Sequence, residues 1–183
     1  MKSSKITKEK IADAFCELAS SKPISRISVR EIAQKSGVTT VSFYHYFRDK
    51  YDLSVYIFVR KATHIMDRVG HDGYRWRDTL RDGIQYFAEQ RDFMLNALRH
   101  AGGRESFVFN VQQSYIQELS DLIRKNVGGR ELTRAEEYAV KIYCAGTVQT
   151  VFDWLMAEMP ISVEELALMF EFGLPKRLEG LLK

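Results

Sequence analysis

Residues Ile32 to Phe47, reading IAQKSGVTTVSFYHYF, constrain the fold more than any other stretch of this chain. Ala33, Gly37 and Phe43 fall at the spacing of two helices crossed over a tight turn. A small side chain at Ala33 lets the second helix cross at close range, Gly37 stands where a positive φ is cheapest, and Val38 plugs the turn. Thr39 or Thr40 can cap the second helix through its hydroxyl. Phe43 and Phe47 face inward, which leaves Thr40, Ser42, Tyr44 and His45 outward, all of them hydrogen-bonding residues without a carboxylate to repel phosphate. This is the arrangement of a helix-turn-helix, a device for entering the major groove.

The surrounding sequence builds a small helical head around that motif. Ile11, Ala14, Phe15 and Leu18 recur on one face of a first helix that Thr7 can cap. Ser28-Val29-Arg30-Glu31 has the pattern of a capping box, in which the serine hydroxyl and the glutamate carboxylate satisfy backbone donors at the start of helix two. Charge is concentrated in the same place: residues 1–50 hold 10 Lys and Arg against 5 Asp and Glu, whereas residues 51–183 hold 17 against 19. A net positive front attracts a polyanion, and phosphate neutralisation supplies most non-specific affinity.

Taken together, Lys8 to Leu53 resembles the DNA-binding domain of the TetR family of bacterial transcriptional regulators. The resemblance rests on Ile11, Phe15 and Leu18, on Ser28 to Ser36, on Gly37-Val38, on the aromatic run Phe43 to Phe47, and on Lys50. It implies an all-α fold of about nine helices, with a three-helix DNA-binding domain at residues 1–50 and a helical effector and dimerisation domain at residues 51–183. Beyond about Val59, Gly73 to Trp76, Phe93 to Leu98 and Asp153 to Leu155 resemble a short effector domain of regulators from Gram-positive bacteria, activators of dihydroxyacetone kinase operons among them.

Helical periodicity continues through the remainder. Segments are expected at about Lys50–Val69, Trp76–Gln90, Arg91–Ala101, Ser106–Val127, Thr133–Met159 and Ser162–Leu182, with Pro175 interrupting the last. Gly70-His71-Asp72-Gly73, Gly102-Gly103, Gly128-Gly129 and Pro160 punctuate them. Uncharged stretches such as Ile142 to Phe152 are far shorter than the roughly 20 residues a membrane span requires. The first residues lack the apolar run of a signal peptide, so a cytoplasmic location is expected. Cys16 and Cys144 are far apart and read as buried thiols.

Roles in the head follow from position. Thr39, Thr40, Val41 and Ser42 lie at the N-terminal turn of the reading helix, where hydroxyls can meet bases or phosphates and Val41 can meet a thymine methyl. By the resemblance, Tyr44 and His45 touch base edges and phosphates. Tyr46 either contacts the DNA backbone or packs with a wet hydroxyl. Lys50 adds its charge to the N-terminus of helix four to attract a phosphate, and Ser28 and Arg30 grip the other side of the groove. No Arg, Lys, Asn or Gln stands between Val38 and Phe47, so base readout rests on hydroxyls, a methyl contact, Lys35 or DNA shape.

For the body, the expected ligand-orienting residues are Phe87, Met94, His100, Gln112, Gln113, Tyr143 and Gln149, chosen as aromatic, Met or polar positions on apolar segments. Ile142, Ala145, Gly146, Gln149 and Phe152 on helix eight, with Leu166, Met169 and Phe170 on helix nine, are the expected dimer interface. The implied partners are a palindromic double-stranded DNA operator, a second copy of the chain, and a small-molecule effector or a partner protein. The implied function is a repressor whose operator binding an effector modulates. No nucleophile elbow, phosphate loop, dinucleotide fingerprint or metal spacing occurs, so neither catalysis nor a metal or other cofactor is expected.

Overall fold

In the computed structural model, residues 2–100 and 104–182 are described, the side chains of 2–5, 62, 63, 93, 96, 97, 99, 100 and 104–106 excepted. Every regular element among them is helical: α1 (Lys2–Ala19), a 3-10 turn (Ile24–Arg26), α2 (Val29–Ser36), α3 (Thr40–Tyr46) and α4 (Lys50–Met66). There follow α5 (Trp76–Glu89), α6 (Arg91–His100), α7 (Arg104–Asn126), α8 (Arg134–Met156), α9 (Val163–Phe172) and the four-residue α10 (Lys176–Glu179). The all-α expectation holds. Packing divides the chain within α4, between Phe58 and Val59.

The head is organised around one apolar cluster. Ile11, Ala12 and Phe15 of α1 meet Ile27, Ile32, Phe43, Phe47 and Leu53. Ile32 and Ala33 carry the buried face of α2, and Gly37 ends that helix at φ +71°, the left-handed conformation the turn requires. α1 begins earlier than Thr7, because no Gly or Pro stands in the preceding residues to stop it. Cys16 is exposed, contrary to expectation: the stripe through Ala12 and Phe15 turns it outward.

In the body, α5 packs on α9 and α7 on α8. Phe87, Phe107 and Phe152 form a buried trio, with edge-to-face ring pairs at 5.5 and 5.8 Å centred on Phe152. The Trp76 indole donates to the Tyr143 hydroxyl at 3.4 Å, and that hydroxyl donates to the Phe170 carbonyl at 3.0 Å, tying α5, α8 and α9 together. α8 opens on a full capping box at Thr133 and Glu136, with Arg130 forked onto the same carboxylate at 2.8 and 2.9 Å. It stops at Met156, short of the expected Met159, because Glu158 and Met159 both adopt positive φ. The expected final helix is two: α9 ends at Phe172, and Pro175 caps α10, its ring unable to continue the preceding turn.

Candidate nucleic-acid interface

The helix-turn-helix is held by two caps. At α2 the Ser28 hydroxyl donates to Glu31 at 2.8 Å and accepts from the Glu31 amide at 3.3 Å, while the Ser28 amide donates to the same carboxylate at 2.8 Å. At α3 the Thr39 hydroxyl accepts from the Ser42 amide and donates to the Ser42 hydroxyl, both at 3.0 Å. Thr39 is therefore the N-cap, and Thr40 the first helical residue. In the free chain, then, the Ser28 and Thr39 hydroxyls are engaged in shaping the turn.

What α3 leaves outward is a compact reading face. Val41 is 79% exposed and Tyr44 58%, whereas Phe43, one residue away, is wholly buried. Thr40 and His45 are exposed beside them, and Ser42 is half-buried with its hydroxyl accepting from that of Thr39. Two edge-to-face pairs, Phe43 with Tyr44 at 5.5 Å and His45 with Tyr46 at 5.0 Å, fix the ring directions. Tyr46 packs against the apolar cluster and is half-buried. Val41 and the outer part of Tyr44 stand clear of the core that Phe43 and the C-cap Phe47 join. Their shape and chemistry fit a groove floor with thymine methyls and acceptor edges.

Lys50 stands otherwise than expected. Its ammonium donates to the carbonyls of Ile24, Ser25 and Ile27 at 3.0, 3.0 and 2.9 Å, inside the head. Burial lowers its pKa, against a raising influence from Glu31. The first amides of α4 are occupied too: Asp49 accepts from the amides of Tyr51 and Asp52, both at 2.8 Å. A carboxylate cap occupies the place where helix-dipole attraction of a phosphate was expected.

Two exposed cations lie around the turn. Arg30 in the first turn of α2 and Arg26 in the 3-10 turn are exposed and form no ion pair among the described residues. Arg26 was not picked out as a site residue, although its place in the basic front was the available signal. Lys35 is paired with Glu17 at 2.7 Å, and Lys22 with Glu31. Lys22, then the amide and hydroxyl of Ser28, hold the Glu31 carboxyl down at about 2.

The residues picked for the body do not converge. Phe87 and Met94 are buried in the core, and Tyr143 is buried with its hydroxyl bonded on both sides. Gln113 is exposed, Gln112 half-buried, and the His100 side chain lies outside the described residues. Gln149 is exposed and donates to Asp153 on its own helix at 3.0 and 3.1 Å, which takes it out of any enclosed chamber. A signal that the sequence could not carry is Thr79, whose buried hydroxyl has no hydrogen-bond partner among the described residues. Tyr115 lies near Tyr143 and Cys144, and burial pushes its phenol well up. A separate cleft of about 540 Å³ lies between the loop after α4 and the C-terminal segment, lined by Tyr74, Arg75, Trp76, Glu171, Leu174 and Leu182 among others.

The expected dimer interface needs correction in part. Phe152, Leu166 and Phe170 are buried within the chain's own core. Ile142 and Met169, by contrast, are 69% and 57% exposed, Gly146 and Gln149 are exposed, and Ala145 is half-buried. Tyr138 and Phe172 extend the exposed apolar surface of α8 and α9. The sequence showed wide stripes on both helices but not which edge of each faces inward.

Comparison with known proteins follows this division. The profile described as "Bacterial regulatory proteins, tetR family" matches residues 11–57, and that described as "Transcriptional regulator C-terminal region" matches residues 74–172. The HTH-type dhaKLM operon transcriptional activator DhaS of Lactococcus lactis subsp. lactis is 32% identical over 93 residues, 51% of this chain and 49% of that protein. The chain thus spans about half the length of that curated relative in the match. Among solved structures, the dihydroxyacetone kinase operon activator DhaS is similar with a TM-score of 0.57 at 20% identity, over 97% of this chain and 99% of that one. The Thermus thermophilus FadR repressor, solved with lauroyl-CoA, is similar with a TM-score of 0.63 at 17% identity, over 96% and 95%. At such identities the structural likeness speaks for the fold.

Proposed function

The chain belongs to the TetR family of bacterial transcriptional regulators, and on that premise we propose that it acts as a cytoplasmic homodimer that reads a palindromic operator through α3. The observation that carries the reading is the α3 face, where Thr40, Val41, Tyr44 and His45 stand exposed while Phe43 and Phe47 hold the helix to the head. Arg26 and Arg30 supply phosphate-directed charge. α8 and α9 supply the self-association surface through Ile142, Met169 and Phe172. A symmetric dimer then presents two reading heads to half-sites about one DNA turn, roughly 34 Å, apart or somewhat more.

The body, on this reading, binds a small molecule that prefers one of two conformations and so changes operator affinity by its differential affinity for them. The buried Thr79 hydroxyl, without a hydrogen-bond partner among the described residues, supports a ligand with a hydrogen-bonding group. The effect on transcription is repression in the simplest arrangement. A second reading, in which operator binding turns genes on, is favoured by the match to the dhaKLM operon transcriptional activator.

The test is in vitro selection of genomic DNA fragments on the purified protein at moderate salt, beside its Tyr44→Ala variant. Enrichment of a palindrome by the wild type alone supports a site-specific regulator. Equal, salt-labile retention by both proteins would sink the reading. The genes beside the enriched site then give effector candidates and the direction of regulation.

A further inference from the structure

The ammonium of Lys50 has three protons, and three carbonyls converge on it. Those of Ile24 and Ser25 belong to the 3-10 turn, and that of Ile27 directly precedes the α2 cap Ser28. The Ile24 carbonyl already accepts from the Ile27 amide at 3.0 Å and takes the lysine as a second donor on its other lone pair. The lysine at the start of α4 supplies one donor to each, from 23 to 26 residues further along the chain. Ile27 is 1% exposed and locked in the apolar cluster, so the anchoring is to the core and not to a free loop.

We infer that Lys50 is a positioning residue for DNA recognition: it keys the turn before α2 to the start of α4, and so sets Arg26 and Arg30 relative to the reading helix without itself touching DNA. This rests on the reading of α3 as the DNA-contacting helix. With its donor inventory filled at 2.9–3.0 Å, the ammonium reaches a phosphate only by abandoning the cage. Arginine is no substitute, because a planar fork cannot direct its donors at three carbonyls gathered around one point. Arg26 and Arg30, exposed on either side of the anchored Ile27, are the groups whose direction the cage controls.

Two measurements on the full chain test this. The first needs no DNA: hydrogen exchange of the Arg26 and Ile27 amides, which donate to Pro23 and Ile24 within the turn at 2.9 and 3.0 Å. Loss of charge-assisted hydrogen bonds in Lys50→Met should speed exchange at both about tenfold or more. Lys50→Arg should do the same, and it serves if the methionine variant does not fold. Unchanged exchange in the folded variant overturns the inference. The second is operator affinity against salt, with Arg30→Ala as the contrast. Lys50→Met should bind about tenfold more weakly or worse with the wild-type salt slope, whereas Arg30→Ala should lower the slope by about one. A slope lowered by about one in Lys50→Met would make Lys50 a phosphate ligand and overturn the inference. Failure of the wild type to select any operator would sink the functional reading, while the exchange measurement still decides the role of Lys50 in the turn.

Discussion

The hydroxyl of Tyr74 donates to the carboxylate of Asp82 across 2.7 Å, joining the loop after α4 to the second turn of α5. Arg68 completes the clamp, its guanidinium 3.9 Å from the centre of the Tyr74 ring and 3.2 Å from Asp82. Within the loop, the Gly70 amide donates to the Tyr74 carbonyl at 2.9 Å, and Asp72 sits at a positive φ that a non-glycine residue adopts only when held. Tyr74→Phe removes the hydroxyl and keeps the ring. It should cost about 1.5–3 kcal/mol, as does loss of a hydrogen bond to a charged acceptor, and should speed exchange of the Gly70 amide. A wild-type denaturation midpoint with wild-type exchange would show that the ring stack alone holds the loop.

Acid should loosen the start of α2 before the neutral packing beneath it. Lys22, together with the Ser28 amide and hydroxyl, depresses the Glu31 carboxyl from its ordinary 4.5 to about 2. A group depressed on folding contributes stability above the unfolded value and loses it as pH falls toward the folded one. Exchange of the α2 amides should therefore accelerate progressively as the pH falls from about 4.5 to about 2, after correction for intrinsic rates. Glu31→Gln should flatten that dependence. A wild-type profile unchanged in the variant would move the acid sensitivity elsewhere, with Glu136 beside Arg130 the next group to test.

The reading face should be separable from stability. Tyr44→Ala and Val41→Ala each remove an exposed side chain, and exposed substitutions usually change stability by no more than about 0.5 kcal/mol. The operator affinity of each should nonetheless fall by roughly 1–3 kcal/mol, and Thr40→Val should alter base preference at one position of each half-site. Titration of an operator duplex beside thermal unfolding checks both parts. Wild-type affinity in all three variants would remove α3 from the groove.

Self-association should respond to Ile142 and not to its buried neighbour. Ile142→Asp, alone or with Met169→Asp, places charge on the exposed surface of α8 and α9 and should yield a folded monomer by sedimentation. Phe152→Ala should instead lower stability by about 3–5 kcal/mol, because Phe152 is wholly buried between Phe87 and Phe107. A fully dimeric Ile142→Asp Met169→Asp protein would place the interface elsewhere.

Patterns that are local in sequence were legible. The Ser28–Glu31 box, the Gly37 turn and the inward Phe43 and Phe47 each follow from residues within one or two helical turns. What escaped was long-range. Nothing in the neighbourhood of Lys50 tells that carbonyls 23 to 26 residues earlier surround it. On α8 apolar residues surround the axis, and periodicity cannot tell the edge bearing Ile142 from the edge bearing Phe152. Gln149 misled for a related reason: its nearest partner is Asp153, one turn along the same exposed edge.

The exposure of Thr40, Val41, Tyr44 and His45 bears on how such a chain could change over generations. Helix α3 is fastened by its buried phenylalanines and by the Thr39 cap, so the four outward positions are nearly free of any duty to the fold. Substitutions there can be sampled singly without first acquiring a compensating change in the core. Duplicated copies of this gene could therefore diverge to new operators along paths on which every intermediate still folds.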